Sequence, residues 1–339
     1  MNIIILCTLF GIMTYLLTNI SRALLMKFNI VDIPKSRGMH KMPIPRGGGI
    51  SIIISASLYL IFFDDNNLIS NSTYIYGLLI GIGLLGFFDD LKDINFKYRL
   101  VLQFFVSVII ISLFSLTSIY ASMDIKILIL LNLVLVIYFV WQINLFNFMD
   151  GINGISSIQA ILFFLSMSVM AFINGYDYLA QKYLIFAFIS FGFLPHNFPK
   201  AKIFLGDGGS YFLGAFIAFS TIETLYIDEK FFCMSIILMS TFYLDSTITL
   251  LSRIIQKKKF FEAHKEHLYQ LMTRLNKSHS ATVLFFFIFN VVIATIGYLF
   301  IYILDVKTFI FLISYLFLLS IIYLLFKGNL HSKVLQKNL

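Results

Sequence analysis

Charge is scarce in this chain. Only 12% of its 339 residues are Asp, Glu, Lys or Arg, 59% are hydrophobic, and the mean hydropathy is +0.91. So little charge cannot cover a water-facing surface, which excludes a soluble domain and points to a multi-span membrane protein. Cysteine is nearly absent: Cys7 and Cys233 lie alone in apolar runs, too few for a disulfide framework or a metal cluster, and read as small core residues. No basic residue precedes the first apolar run and no small-residue cleavage site follows it, so a retained span is expected rather than a removable signal peptide. The short alternating segments of a membrane β-barrel are missing. So is an internal repeat, which weakens the competing reading of a transporter with a polar intramembrane pathway.

What is present is a series of apolar runs, each about as long as a helix needs to cross a hydrocarbon layer. They cover approximately 2 to 20, 49 to 63, 74 to 88, 99 to 117, 126 to 146, 154 to 173, 178 to 195, 209 to 226, 230 to 251, 282 to 304 and 308 to 326. The expected fold is all-α, a polytopic membrane helical bundle of about 11 (10–11) transmembrane helices forming one domain over 1–339. The lower count allows for the short second and third runs and for Glu223 inside the eighth. Alternate gaps hold 21 of the 25 Lys and Arg. The positive-inside rule makes those gaps cytoplasmic and places the N-terminus outside. The net charge of +8 is therefore read as topogenic and lipid- or phosphate-facing, with no nucleic acid expected.

The unusual polar chemistry falls in those same gaps. Asn144, Asn147 and Asp150 recur every three residues as a polar stripe that Gly151 and Gly154 end. The first loop carries Arg37, His40, Lys41 and Arg46 and closes on Gly47-Gly48-Gly49, donors and open backbone suited to phosphate oxygens. Asp89-Asp90 at a span end can bind a magnesium-bridged diphosphate or act as a base, or simply cap a helix. Gly206-Asp207-Gly208-Gly209 sets a carboxylate beside exposed N–H groups at a helix start, or forms a tight turn. The last large loop is read as holding Asp245, Arg253, Lys257-Lys258-Lys259 and the pair His264 and His267, whose i, i+3 spacing would share a helical face. His196 is read as structural.

Taken together and in this order, the stretches His40 to Gly49, Asp89-Asp90, Asn144 to Gly154, Phe204 to Gly214, Asp245 to Arg253 and His264 to Gln270 resemble a known group. They look like the bacterial polyprenyl-phosphate N-acetylhexosamine-1-phosphate transferases, the integral-membrane glycosyltransferase family 4. The Ala263 to Gln270 ending looks more like the branch that primes O-antigen and related surface polysaccharides than the peptidoglycan-precursor branch. The resemblance implies transfer of a sugar-1-phosphate from a UDP-amino sugar to undecaprenyl phosphate with release of UMP. It implies Mg²⁺, with Mn²⁺ as an alternative, and a site facing the cytoplasm in the bacterial inner membrane. A homodimer is compatible with it but not required.

The residue roles follow from that resemblance. Asp207 would be the principal metal ligand, supported by Asp89. Asp89 and Asp90 would orient or deprotonate the lipid phosphate and, with Asp150, form the catalytic carboxylates. Asn147 and Asp150 would hold the nucleotide-sugar side, with Asn144 as a further substrate contact, and Arg46, His264 and His267 would meet pyrophosphate or sugar. Asn153 stands where many relatives carry an aspartate, so it is assigned only a nucleotide contact.

Overall fold

Each of the eleven apolar runs forms a helix in the computed structural model, which describes residues 2–33, 43–64, 71–115, 124–258 and 264–336. Arg37, His40, Lys41 and Lys259 lie outside the described residues. The chain runs α1 (Ile3–Lys27), a two-stranded ribbon of β1 (Val31–Asp32) and β2 (Ile44–Pro45), α2 (Ile50–Phe62), α3 (Ser72–Lys92) and α4 (Phe96–Ser115). It continues through α5 (Ile125–Met149), α6 (Ile155–Ile173), α7 (Asp177–Asn197), α8 (Gly206–Leu225) and α9 (Glu229–Ile255). A short α10 (Leu268–Asn276) precedes α11 (His279–Tyr298), which passes into a π-turn at Leu299–Ile303, and α12 (Thr308–Gln336).

Among the described residues nine helices are long and apolar enough to cross a membrane. The two other runs depart for different reasons. α2 has 13 residues, about 20 Å of helix at 1.5 Å per residue. α8 is long enough but less apolar, with Asp207, Glu223 and several Gly, Ser and Thr in its 20 residues, and every residue from Gly208 to Thr224 is buried, so its neighbours are other helices rather than lipid. That environment lets it carry Glu223: both carboxylate oxygens accept from Lys182 Nζ at 2.6 Å, and the Tyr183 hydroxyl donates at 3.2 Å. On the periphery α1, α4 and α12 present long rows of exposed Ile, Leu and Phe, as lipid-facing helices do.

Lipid tails are as apolar as leucine, so packing in a bilayer relies on close backbone approach and on hydrogen bonds between helices. Both are visible around α2. Thr14 and Thr18 of α1 bond Ser55 and Ser51 of α2, each at 2.8 Å. At its other face Gly49, just before α2, lies so close to Gly209 of α8 that a methyl group on either would overlap the other's backbone.

Backbone hydrogen bonds also stitch the first loop to the start of α8. Phe204 N–H donates to Pro45 C=O at 2.8 Å, Gly48 N–H to Phe204 C=O at 2.9 Å, and Gly49 N–H to Leu205 C=O at 2.8 Å. The last turn of α3, the start of α4, the end of α5 and the start of α8 meet at the same end of the bundle. Among the described residues every Lys and Arg between helices except Lys307 lies in a connection at this end, so it is called the basic end.

Candidate active site

α3 and α4 are joined by only Asp93, Asn95 and the residue between them, so the last turn of α3 faces the first turn of α4. Asp89, 3% exposed, pairs with Arg99 and accepts from Ile94 N–H at 2.6 Å. Asp90 points the other way, into the start of α8. Its oxygens accept from Asp207 N–H at 2.9 Å and Gly208 N–H at 3.0 Å, and Arg46 Nε lies 2.6 Å from Oδ1. The first N–H groups of a helix have no partner within it. Asp90 thus caps α8 from a different helix, and its side chain has no exposed surface.

Asp207 is the member of this group that looks outward. Oδ1 accepts from Asn147 Nδ2 at 2.9 Å, while Oδ2 faces Arg46 Nη2 at 2.9 Å and Arg99 Nη1 at 3.3 Å. The side chain keeps 15% of its surface open, toward a cavity of about 490 Å³ that Arg46, Asn147 and Asp150 also line. Burial works against the Arg46 charge, but the Asp207 and Asp90 carboxylates outweigh it and raise its pKa. Gly86, one turn before Asp89, permits this approach, because a methyl there would overlap the carbonyl of Asp207. Gly86→Ala should therefore destabilise the protein by about 1–3 kcal/mol, read as a lower unfolding temperature in detergent; an unchanged temperature would show that the contact is slack.

The polar stripe of α5 divides. A step of three residues turns a helix by roughly 300°, so each member sits about 60° round from the last. Asn144 consequently faces α4, giving Nδ2 to Gln103 Oε1 at 2.7 Å, and does not line the cavity. Asn147 faces α8, bonding Ser210 Oγ at 2.9 Å as well as Asp207. Asp150 ends the helix and borders the cavity, where burial holds its carboxyl well above the usual range.

Asn153 lines the cavity with its backbone N–H toward His279 Nδ1 at 3.3 Å and its amide toward Pro199 C=O at 3.3 Å. Next to it, Gly154 N–H is held by Asn197 Oδ1 at 2.7 Å.

The histidine pair differs from expectation. Asp245 and Arg253 lie within α9, and α10 begins only at Leu268, so His264 and His267 precede the helix instead of sharing its face. Asp245 takes the N–H groups of Leu268 and Tyr269, which sets the helix start there. The two rings still stack at 4.9 Å. His264 lines the cavity, whereas His267, 3% exposed, turns inward to Asp245 Oδ1 at 3.2 Å. Burial, then the neighbouring His267 and Arg253, lower the His264 pKa to about 4, so its imidazole is neutral near pH 7.

The family-4 sequence model (glycosyl transferase family 4) matches residues 72–225, the stretch from α3 to α8. Over 78% of this chain and 80% of its own length, the undecaprenyl-phosphate alpha-N-acetylglucosaminyl 1-phosphate transferase of Thermotoga maritima is 30% identical. The chain belongs to glycosyl transferase family 4. A probable undecaprenyl-phosphate N-acetylglucosaminyl 1-phosphate transferase of Bacillus subtilis is 27% identical over 84% of this chain and 79% of its own. A phospho-N-acetylmuramoyl-pentapeptide-transferase of Staphylococcus saprophyticus is 29% identical over 72% and 82%.

Within this family-4 chain the matched segment holds Asp89, Asp90, Arg99, Asn147, Asp150 and Asp207, while Arg46 and His264 come from outside it. Arg99, Ser210, Asn197 and His279 join the site without having been assigned to it from sequence. Arg99 carried a usable signal: so short a connection between α3 and α4 forces a residue ten positions after Asp89 to face it. The others are reached only through tertiary contacts.

Among the described residues no three His, Cys, Asp or Glu side chains are arranged to enclose a metal. Asp89, Asp90 and Asp207 are set against Arg46 and Arg99. Such a donor set fits a hard cation of the Mg²⁺ kind, which needs only one or two carboxylates and fills its remaining positions with water and phosphate oxygens.

Proposed function

We propose that this protein transfers a sugar-1-phosphate from a UDP-N-acetylhexosamine or its 6-deoxy relative to undecaprenyl phosphate, releasing UMP. The reaction would begin the synthesis of O-antigen or another cell-envelope polysaccharide, with the basic end of the bundle facing the cytoplasm. The observation that carries the reading is Asp207, open to a large cavity yet held by Arg46, Arg99 and Asn147 from three separate segments. Membership of family 4 and the named transferases it resembles support it.

In this reaction an oxygen of the lipid phosphate attacks the sugar-bearing phosphorus, and the bond to the UMP oxygen breaks as the new one forms. One diphosphate linkage replaces another. Such transfers depend on alignment and on stabilising charge more than on covalent help from the protein. Asp207, with Asp89, would hold Mg²⁺, or Mn²⁺ in its place, and the cation would neutralise phosphate charge. Arg46 and Arg99 would meet phosphate oxygens as they leave their carboxylate partners. Asn147, Asp150 and Asn153 would hold the nucleotide-sugar side.

A phosphate monoester has its second pKa near 6, so the acceptor is largely dianionic at neutral pH and needs orienting more than deprotonating. Asp90, enclosed and committed to backbone N–H groups, would serve by fixing the position of Asp207. His264 would contact the donor as a neutral imidazole. That form persists above a pKa of about 4, so His264→Ala should change the KM for the donor by the same factor at pH 8 and at pH 6. A factor that changes through pH 6.5, the ordinary histidine value, would show that the contact is made differently.

The deciding experiment supplies purified protein with undecaprenyl phosphate, Mg²⁺ and a panel of UDP-sugars, including UDP-N-acetylmuramoyl-pentapeptide. UMP should appear with at least one UDP-amino sugar and disappear with chelator. Release from the pentapeptide donor alone would move the protein to the peptidoglycan branch, and no release from any donor would refute the proposal.

A further inference from the structure

Asp245 sits inside α9 with no exposed surface, and five groups converge on its carboxylate. Oδ1 receives the Tyr323 hydroxyl at 2.8 Å, Leu268 N–H at 2.9 Å, and Thr249 Oγ1 and His267 Nδ1 each at 3.2 Å. Oδ2 receives Tyr269 N–H at 3.3 Å. These groups come from α9 itself, from the start of α10 and from α12. We propose that Asp245 is a positioning residue: it presents the 264–270 segment to the substrate cavity and ties that presentation to α12. The inference rests on the function proposed above.

The contacts continue from Asp245 to the cavity without a gap. Once Leu268 and Tyr269 are pinned by their N–H groups, the Tyr269 hydroxyl reaches Phe148 C=O at 2.9 Å, two residues before Asp150. The Gly151 backbone lies against that hydroxyl so closely that a methyl there would overlap it. Gln270 Nε2 donates to the same hydroxyl at 3.2 Å, and Gln270 and His264 both line the cavity. Asp245 thus sets where one wall of the cavity stands relative to Asp150. The other direction leads to α12, through Tyr323 and through Lys327, which bonds Thr249.

The carboxylate matters as an acceptor at both oxygens. Asparagine of the same shape keeps one acceptor and turns an NH₂ group toward donors that cannot receive it. The wall should then loosen while the carboxylates around Asp207 keep their places. A wall that touches substrate equally in the ground and transition states raises KM, with kcat little changed, once it loosens.

The test compares the full-length parent with Asp245→Asn, Tyr323→Phe and Tyr269→Phe by UMP-release kinetics and by amide hydrogen exchange in detergent. Asp245→Asn should raise the KM for the UDP-sugar at least about tenfold while kcat falls less than about threefold. Exchange across 264–270 should quicken, with α3, α5 and α8 unchanged. Tyr269→Phe, which breaks the path beyond Asp245, should raise KM in the same direction and add little to Asp245→Asn. Tyr323→Phe, removing one of the two links to α12, should give a smaller rise.

Unchanged exchange across 264–270 in Asp245→Asn would overturn the inference. So would faster exchange throughout the bundle, or a loss confined to kcat. If Asp245→Asn fails to fold, the tyrosine variants decide by the same KM and exchange criteria. If the parent releases no UMP from any donor, the proposed function fails, and the exchange measurements still decide whether Asp245 holds the segment.

Discussion

Asp207→Asn should reduce UMP release by at least about a thousandfold while leaving the unfolding temperature in detergent within a few degrees of the parent. The two halves of that result have separate causes. Asparagine keeps the shape and one acceptor for Asn147, but it removes the anionic oxygen that faces the cavity between Arg46 and Arg99. Stability survives because neither arginine is stranded: Arg46 retains Asp90 and Arg99 retains Asp89. A variant with more than a tenth of the parental rate would remove Asp207 from the centre of the reaction. One that unfolds early would make it a structural residue.

The second large effect belongs to the far end of α8. Lys182→Met should cost about 3–5 kcal/mol, because it removes the counter-ion of a buried carboxylate. The double variant Lys182→Met with Glu223→Leu should recover the loss or exceed it, since two apolar side chains of similar volume need no partner there. The fraction of protein that stays monodisperse after heating in detergent separates these outcomes. If the single variant withstands heat as well as the double one, the pair does not hold α7 to α8. Catalysis should be indifferent to the double variant, because Glu223 lies 16 residues beyond Asp207, about 24 Å along the helix.

That ion pair also shows where sequence reading stops. Hydropathy locates eleven of the twelve helices and misses the short amphipathic α10, since burial of a long apolar run can be summed locally and a nine-residue helix offers no such run. It ends several of them early, however. α1 runs on to Lys27, α9 to Ile255 and α12 to Gln336, because a helix need not end where the hydrocarbon does and long polar side chains reach water from its last turns. Glu223 looks like a reason to doubt a span until Lys182, 41 residues earlier, is seen beside it.

The site was legible in its parts: Asp89, Asp90, Asn147, Asp150 and Asp207 stand out as polar groups in an apolar chain, and the structure gathers them at one end. Their division of labour was not. Which face Asn144 presents, that Asp90 caps α8 instead of facing the cavity, and which of His264 and His267 reaches the cavity depend on partners far away in the chain.

The pairing of three fixed carboxylates with two arginines has one more consequence. Asp90 is bonded to the backbone and Asp89 to a loop N–H, so the acids belong to the frame, whereas Arg46 and Arg99 enter on long, flexible stems. In the proposed reaction the guanidinium groups would turn from carboxylate to phosphate, and a divalent cation held by Asp207 and Asp89 would supply positive charge beside those acids.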